Sequence, residues 1–244
     1  MIERKQSVSV RVLLLSSDNK VIQSLSQTAR PMAIQVEACN DPELAITKLS
    51  TSKFEGVIVD LALKQGFNFL TRLRALSSNK SAVSYAVLSQ NLEQLAAFQA
   101  GANFVFERPV SHSAARVFKA SYSLMVREKR RYFRYPMKAE VLLRFGGEAE
   151  FPGMSLNLSE AGISLNSGRP TRVGSKISLR LRLPGGTEYL QLAGEVCWAE
   201  PSGRMGIHLR NLAPEVAQTL REFLTEQVEE ALRLQPATAS QQSQ

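Results

Sequence analysis

The apolar positions of this chain follow two different rhythms. Through the first half, short continuous apolar runs alternate with stretches in which apolar residues recur every three or four positions. The run VRVLLL at 10–15 ends at Ser16-Ser17-Asp18-Asn19, which reads as a buried strand passing into helix-capping residues. Val21, Leu25 and Thr28 keep helical spacing as far as Pro31, and Ile34 and Val36 read as extended. Asp41-Pro42-Glu43 then opens a helix with a capping residue and a proline at its first position. Val57-Ile58-Val59 is the next buried strand; a helix around 68–76, a strand at 84–88, a helix at 92–100, a short strand at 104–106 and a helix from Ser111 follow. Five strand-helix units predict a doubly wound, five-stranded parallel sheet with helices on both faces and its sites at the carboxyl ends of the strands.

Beyond Arg144 the period falls to two. Val141-Leu142-Leu143, the segments 153–157, 162–165, 177–183 and 189–198, and the segment 204–209 are short strands separated by Gly, Pro, Asn and Ser turns. This pattern predicts a small antiparallel β-barrel or folded sheet. Ala213-Pro214-Glu215 starts a final helix, on which Val216, Leu220, Phe223, Leu224, Val228 and Leu232 form one apolar stripe. That stripe is expected to cover a barrel face or an open end, with contact to a second subunit as the alternative for part of it. The expected fold class is thus α/β plus all-β, with domains at 1–125 and 126–235 and a small polar tail at 236–244 that nothing orders.

Length and composition agree with two soluble domains. The chain has 244 residues, 44% of them hydrophobic, and no uninterrupted apolar run approaches the roughly 18–20 residues that cross a bilayer. The start, Met1-Ile2-Glu3-Arg4-Lys5, is charged and the apolar run after it is short for a signal-peptide core, so none is expected. Cys39 and Cys197 are too far apart to suggest a disulfide framework or a metal site, so a cytoplasmic setting is expected. The net charge of +8 is unevenly placed: residues 126–144 carry seven basic and two acidic side chains, more than half of the excess. A localised anion site at the domain joint is the hypothesis this raises, against a basic linker that is merely solvated.

The strand ends of the first domain resemble those of response-regulator receiver domains. The resemblance rests on Asp60 closing the third strand, Ser89 closing the fourth, the Gly101-Ala102 turn and Arg108-Pro109. It implies a phosphoacceptor at Asp60 and magnesium held partly by an acidic pair after the first strand. That pair is Ser16-Ser17 here, and two hydroxyls do not supply the anionic oxygens a hard divalent cation prefers. Asp18 comes one position late, Arg108 replaces the family's lysine, Val105 its aromatic, and the loop after Asp60 reaches Gly66 early. The domain therefore reads as receiver-like, with phosphotransfer lost and an interaction or dimerisation role in its place.

Two motifs flank the start of the barrel: Arg130-Arg131-Tyr132-Phe133-Arg134, and Asn157-Leu158-Ser159-Glu160-Ala161-Gly162 in a turn between strands. With Gly194-Glu195-Val196-Cys197-Trp198 and Gly206-Ile207-His208-Leu209, they resemble the PilZ domain family, marked by Arg-x-x-x-Arg followed by Asp/Asn-x-Ser-x-x-Gly. The resemblance implies binding of cyclic di-GMP, a ligand with two phosphodiester charges and two guanines. Arginine suits it, since a guanidinium forks onto guanine O6 and N7, pairs with phosphate or stacks on a base. Arg130 and Arg134 are expected on a flexible arm closing over the ligand, with Arg131 adding charge or a stacking plane. Asn157 offers both acceptor and donors to a guanine edge, Ser159 a hydroxyl, and Gly162 a close backbone approach. Tyr132 and Phe133 are expected to anchor the arm, and Trp198 to lie in the core.

His112 and His208 sit in different domains without a nucleophile nearby, and no phosphate-binding glycine loop appears. The expectation is a non-enzymatic receptor of the messenger, without cofactor or metal, acting on a protein partner that the sequence does not identify. The other readings are a messenger-independent PilZ scaffold, a phosphorylation-driven response regulator, and a nucleic-acid binder, for which no recognition motif is present.

Overall fold

The computed structural model describes residues 9–233; the expected tail at 236–244 lies outside them. The chain divides into two compact units, one made of the residues up to Lys129 and those from Glu229 on, and one spanning Arg130–Val228.

In the first unit, strands β1 (Val10–Leu15), β2 (Ile34–Cys39), β3 (Gly56–Asp60), β4 (Val83–Val87) and β5 (Phe104–Phe106) form one sheet in the order β2-β1-β3-β4-β5. All four pairings are parallel. Helices α1 (Asn19–Ala29), α2 (Pro42–Thr51), α3 (Gly66–Leu73), α4 (Gln94–Gln99) and α5 (Ala114–Tyr132) connect and follow the strands. Asp18 and Asp41 cap α1 and α2 as their positions before the helical runs predict, each carboxylate accepting from two backbone N–H groups. Leu13, Leu15, Val57, Val59, Ala86 and Leu88 fill one layer of the core, and Tyr85 stacks with Phe104 and Phe106 in another. This order reverses direction between β1 and β3, so the ends of those two strands frame the crevice of the sheet.

At the opposite end of the sheet Glu55, just before β3, is buried, accepting from the Arg11 N–H at 2.7 Å and lying 3.5 Å from Lys129 Nζ. Burial pushes its carboxyl above the ordinary range, against the pull of Lys129. A folded-state value raised above the unfolded one means that stability is greatest below the unfolded pKa and is lost as pH rises through the folded one. Glu55→Gln is therefore expected to melt higher than the wild type near about pH 7, with the gap closing toward about pH 4. Melting curves across that range check it; an equal gap at both ends refutes it.

In the second unit, β7 (Glu140–Phe145), β8 (Phe151–Ser159), β9 (Gly162–Asn166), β10 (Lys176–Arg182), β11 (Tyr189–Ala199) and β12 (Arg204–Leu209) form an antiparallel sheet that closes through the β8–β9 pairing. The two-residue β6 (Tyr135–Pro136) lies against β8. Alternation decides the faces: on β10, Ile177, Leu179 and Leu181 point inward while Lys176, Ser178, Arg180 and Arg182 face outward or lie only part-buried. The interior is filled by Val141, Leu143, Leu158, Ile163, Leu192, Val196 and Ile207 among others. Helix α6 (Pro214–Arg233) adds Leu220 and Leu224 to that core, with Val216 and Phe223 packed against it, so this part of its stripe covers the barrel, while Val228 and Leu232 are buried outside that core. No described helix is long and apolar enough to cross a membrane.

Candidate functional site

Two places concentrate the residues singled out by sequence. The first lies at the carboxyl ends of β1 and β3. Asp60 closes β3 and is only 1% exposed. Ser16 Oγ donates to its Oδ2 at 2.7 Å, Arg108 Nη2 donates to Oδ1 and Oδ2 at 2.7 and 2.8 Å, and the Ala62 N–H donates to Oδ1 at 3.1 Å. Arg108 Nη1 bonds Asp18 Oδ2 at 2.6 Å, and that hydrogen bond holds the Asp18 carboxyl below the usual carboxylate range. Asp18 is thus aimed at Arg108 while it caps α1. Ser89 turns away to donate to the Glu93 carboxylate at 2.8 and 2.9 Å.

A carboxylate has about four acceptor positions, and Asp60 meets that many donor contacts. The donor set around it is a guanidinium, a hydroxyl and a backbone amide, which is the wrong chemistry for magnesium. Among the described residues no three His, Cys, Asp or Glu side chains are grouped to hold a metal ion.

The second place is built from the end of α5, from β6 and from the turn joining β8 to β9. Helix α5 continues through Tyr132, so Arg130 belongs to a helical turn and not to a flexible arm. Its side chain is 16% exposed, with Nε 3.4 Å from Glu160 Oε2 and Nη1 donating to Thr225 Oγ1 at 2.7 Å. Glu160 occupies a variable position within the second motif, and Thr225 stands on α6. Arg131 is exposed. Arg134 follows the helix and is also exposed.

Pairing of Tyr135 with Leu158 and of Pro136 with Asn157 then seats this segment beside the second motif. The aromatic anchor is Tyr135, whose ring meets Phe223 of α6 edge-on at 5.4 Å and Phe133 at 6.4 Å. Tyr132, expected to share that task, is 52% exposed.

Asn157 sits where the register of β8 against β9 shifts between Ser155 and Asn157. Such a bulge re-aims a side chain. Its Oδ1 atom is buried without a hydrogen-bond partner, a state that costs about 1–3 kcal/mol in a folded protein. Ser159 is buried and donates to the Gly162 carbonyl at 3.0 Å, closing the turn. At Gly162 a Cβ would lie 2.5 Å from the Ile207 carbonyl oxygen, so close approach of β12 requires glycine there. Arg130 thus reaches Glu160 of the second motif, the residues after Arg134 pair beside Asn157 and Leu158, and Ser159 and Gly162 shape the turn.

Trp198, expected inside, is 39% exposed. A register shift in β11 between Val196 and Trp198 breaks the alternation that would have pointed it inward, and its indole lies over Gly206, where no Cβ fits. Glu160 and Thr225 were not singled out by sequence. Glu160 stands among the motif's free positions and Thr225 lies off the apolar stripe, so neither carries a periodic signal.

Residues 128–226 match the family model described as the PilZ domain. Among solved structures, the chain is similar to a response regulator from Chloroflexus aurantiacus, at 20% identity over 48% of this chain and 98% of the other, with a TM-score of 0.43. It is likewise similar to the receiver domain of a sensor histidine kinase from Pseudomonas aeruginosa, at 16% identity over 48% and 98%, with a TM-score of 0.43. An inhibitor of motility from Bacillus subtilis matches at 23% identity over 41% of this chain and 52% of its own length, with a TM-score of 0.34. No curated protein matches the sequence.

Proposed function

We propose that the protein is a non-catalytic receptor for cyclic di-GMP, bound where the end of α5 meets β6 and the β8–β9 turn. The observation that carries this reading is the PilZ match over 128–226 together with the ladder that sets the segment after Arg134 beside Asn157, whose Oδ1 atom has no hydrogen-bond partner. A guanine edge offers N–H donors to that oxygen. Arg134 and Arg131 supply exposed guanidinium groups for phosphate or for stacking on a base, and Arg130 supplies a third once it turns from its present partners. Ser159 and Gly162 hold the turn in shape.

The domains are proposed at 1–125 and 126–235. Because α5 is one continuous helix as far as Tyr132, reordering its last turn on ligand capture would act on the joint between them and alter the surface offered to a protein partner. In the first domain Asp60 serves as the anchor of an ion-pair network, and the role left to that domain is protein interaction, a homodimer included.

Calorimetric titration of the full chain with cyclic di-GMP tests the central claim. Saturable binding at about micromolar Kd or tighter is expected, roughly −8 kcal/mol or stronger, unaffected by unrelated duplex DNA. Absence of heat at high protein concentration, or equal affinity for DNA with steep salt dependence, would reject it.

A further inference from the structure

We infer that Glu160 and Thr225 set the threshold for messenger binding by holding Arg130 against the protein; this rests on the cyclic di-GMP reading above. Arg130 is the one motif arginine that is mostly buried, and two of its nitrogens are committed, Nε to the Glu160 carboxylate at 3.4 Å and Nη1 to Thr225 Oγ1 at 2.7 Å. The Thr225 hydroxyl gives its own proton to the Arg221 carbonyl at 2.7 Å, which leaves its lone pairs to receive Arg130. A guanidinium grips phosphate or guanine with two nitrogens side by side. With Nε and Nη1 both engaged, neither of its paired-donor edges is wholly uncommitted.

Glu160 also carries the wrong charge to stay. A ligand with two phosphodiester charges that approached Arg130 would bring anion against anion, and like charges at close range are unfavourable. The carboxylate therefore acts as an internal competitor that stands where an anionic ligand group would pair. Binding costs whatever it takes to separate Arg130 from Glu160 and Thr225, and the apparent affinity falls by the fraction of molecules in which the arginine remains held. The same exchange frees Thr225, a residue of α6, so the last helix registers occupancy at the arm.

Glu160→Gln keeps size and hydrogen bonding and removes the charge; Thr225→Val keeps shape and removes the acceptor. Calorimetric titration of cyclic di-GMP into the full-length wild type and both variants should show binding about 5–10-fold tighter in Glu160→Gln and about 2–5-fold tighter in Thr225→Val, as expected for loss of one charged and one neutral partner. Their melting temperatures serve as controls for folding. Hydrogen exchange in α6 around Thr225 should rise on ligand addition to the wild type. If the wild type binds and Glu160→Gln binds equally or more weakly, Glu160 is not a competitor and the inference fails while the receptor reading stands. If neither the wild type nor the variants bind, the receptor reading itself fails and takes this inference with it.

Discussion

Arg134→Ala is expected to weaken cyclic di-GMP binding by about 100-fold while leaving the melting temperature of the protein unchanged. The loss corresponds to about 2.7 kcal/mol, the scale of one bidentate guanidinium contact to a guanine edge or its charge-assisted equivalent on phosphate. The reason for choosing this residue over Arg130 is its surroundings. Arg134 is exposed, and no described hydrogen bond or ion pair engages its side chain, so truncation removes nothing from the fold. Arg130→Ala would remove the tie to Glu160 and Thr225 as well, mixing a gain and a loss in one measurement. Titration of the two variants side by side, with Arg134→Lys as a charge-retaining control, separates planar hydrogen bonding from simple charge. A wild-type affinity in Arg134→Ala would move the binding site elsewhere.

The second large effect concerns stability. Arg108→Met is expected to destabilise the first unit by about 3–5 kcal/mol, because it leaves the buried Asp60 carboxylate without its counter-charge. Asp60→Asn combined with Arg108→Met should recover a large part of that loss, since replacing both partners by neutral groups removes the stranded charge. The chain offers a convenient way to localise the damage. Its single tryptophan lies in the second unit, so circular dichroism should show an early partial unfolding step while Trp198 fluorescence keeps its wild-type midpoint. A single variant within about 1 kcal/mol of the wild type would show that the carboxylate is relieved in some other way.

The sequence carried these features to different degrees, and for physical reasons. Continuous apolar runs such as VRVLLL are buried on both faces of a parallel sheet, and the two-residue alternation of β10 follows from a barrel with one wet face; both patterns are local and were legible. The caps at Asp18 and Asp41 were legible for the same reason. Bulges were not. The displacement of Asn157 and the outward turn of Trp198 each depend on one extra residue relative to a partner strand, and nothing within a strand's own pattern announces its neighbour's count. The helical state of Arg130 was also hidden, since charged residues with good helix propensity look alike in a solvated arm and in a last helical turn. The same holds for the partners of Asp60: the loss of the acidic pair was visible at Ser16-Ser17, whereas the guanidinium of Arg108 reaching both Asp18 and Asp60 joins residues far apart in the chain.

The short strand β6 covers part of the side of β8 that β7 leaves open. One side of β8 is covered by β7 over Phe151–Met154 and by β6 only at Asn157 and Leu158. The rest of that side is held by the chain between β6 and β7, where the Met137 N–H donates to the Leu156 carbonyl at 3.2 Å and the Ser155 N–H to the Ala139 carbonyl at 2.9 Å, while Pro136 has no N–H to donate to the ladder. Residues 135–139 immediately follow Arg134. Lifting the stretch 135–139 as a whole would bare this end of β8 as an open edge, the kind of surface onto which another extended chain pairs. The stretch that follows the proposed ligand-binding Arg134 is thus also the cover of a strand edge, so substitutions at Tyr135 that loosen it are expected to lower the protein's solubility.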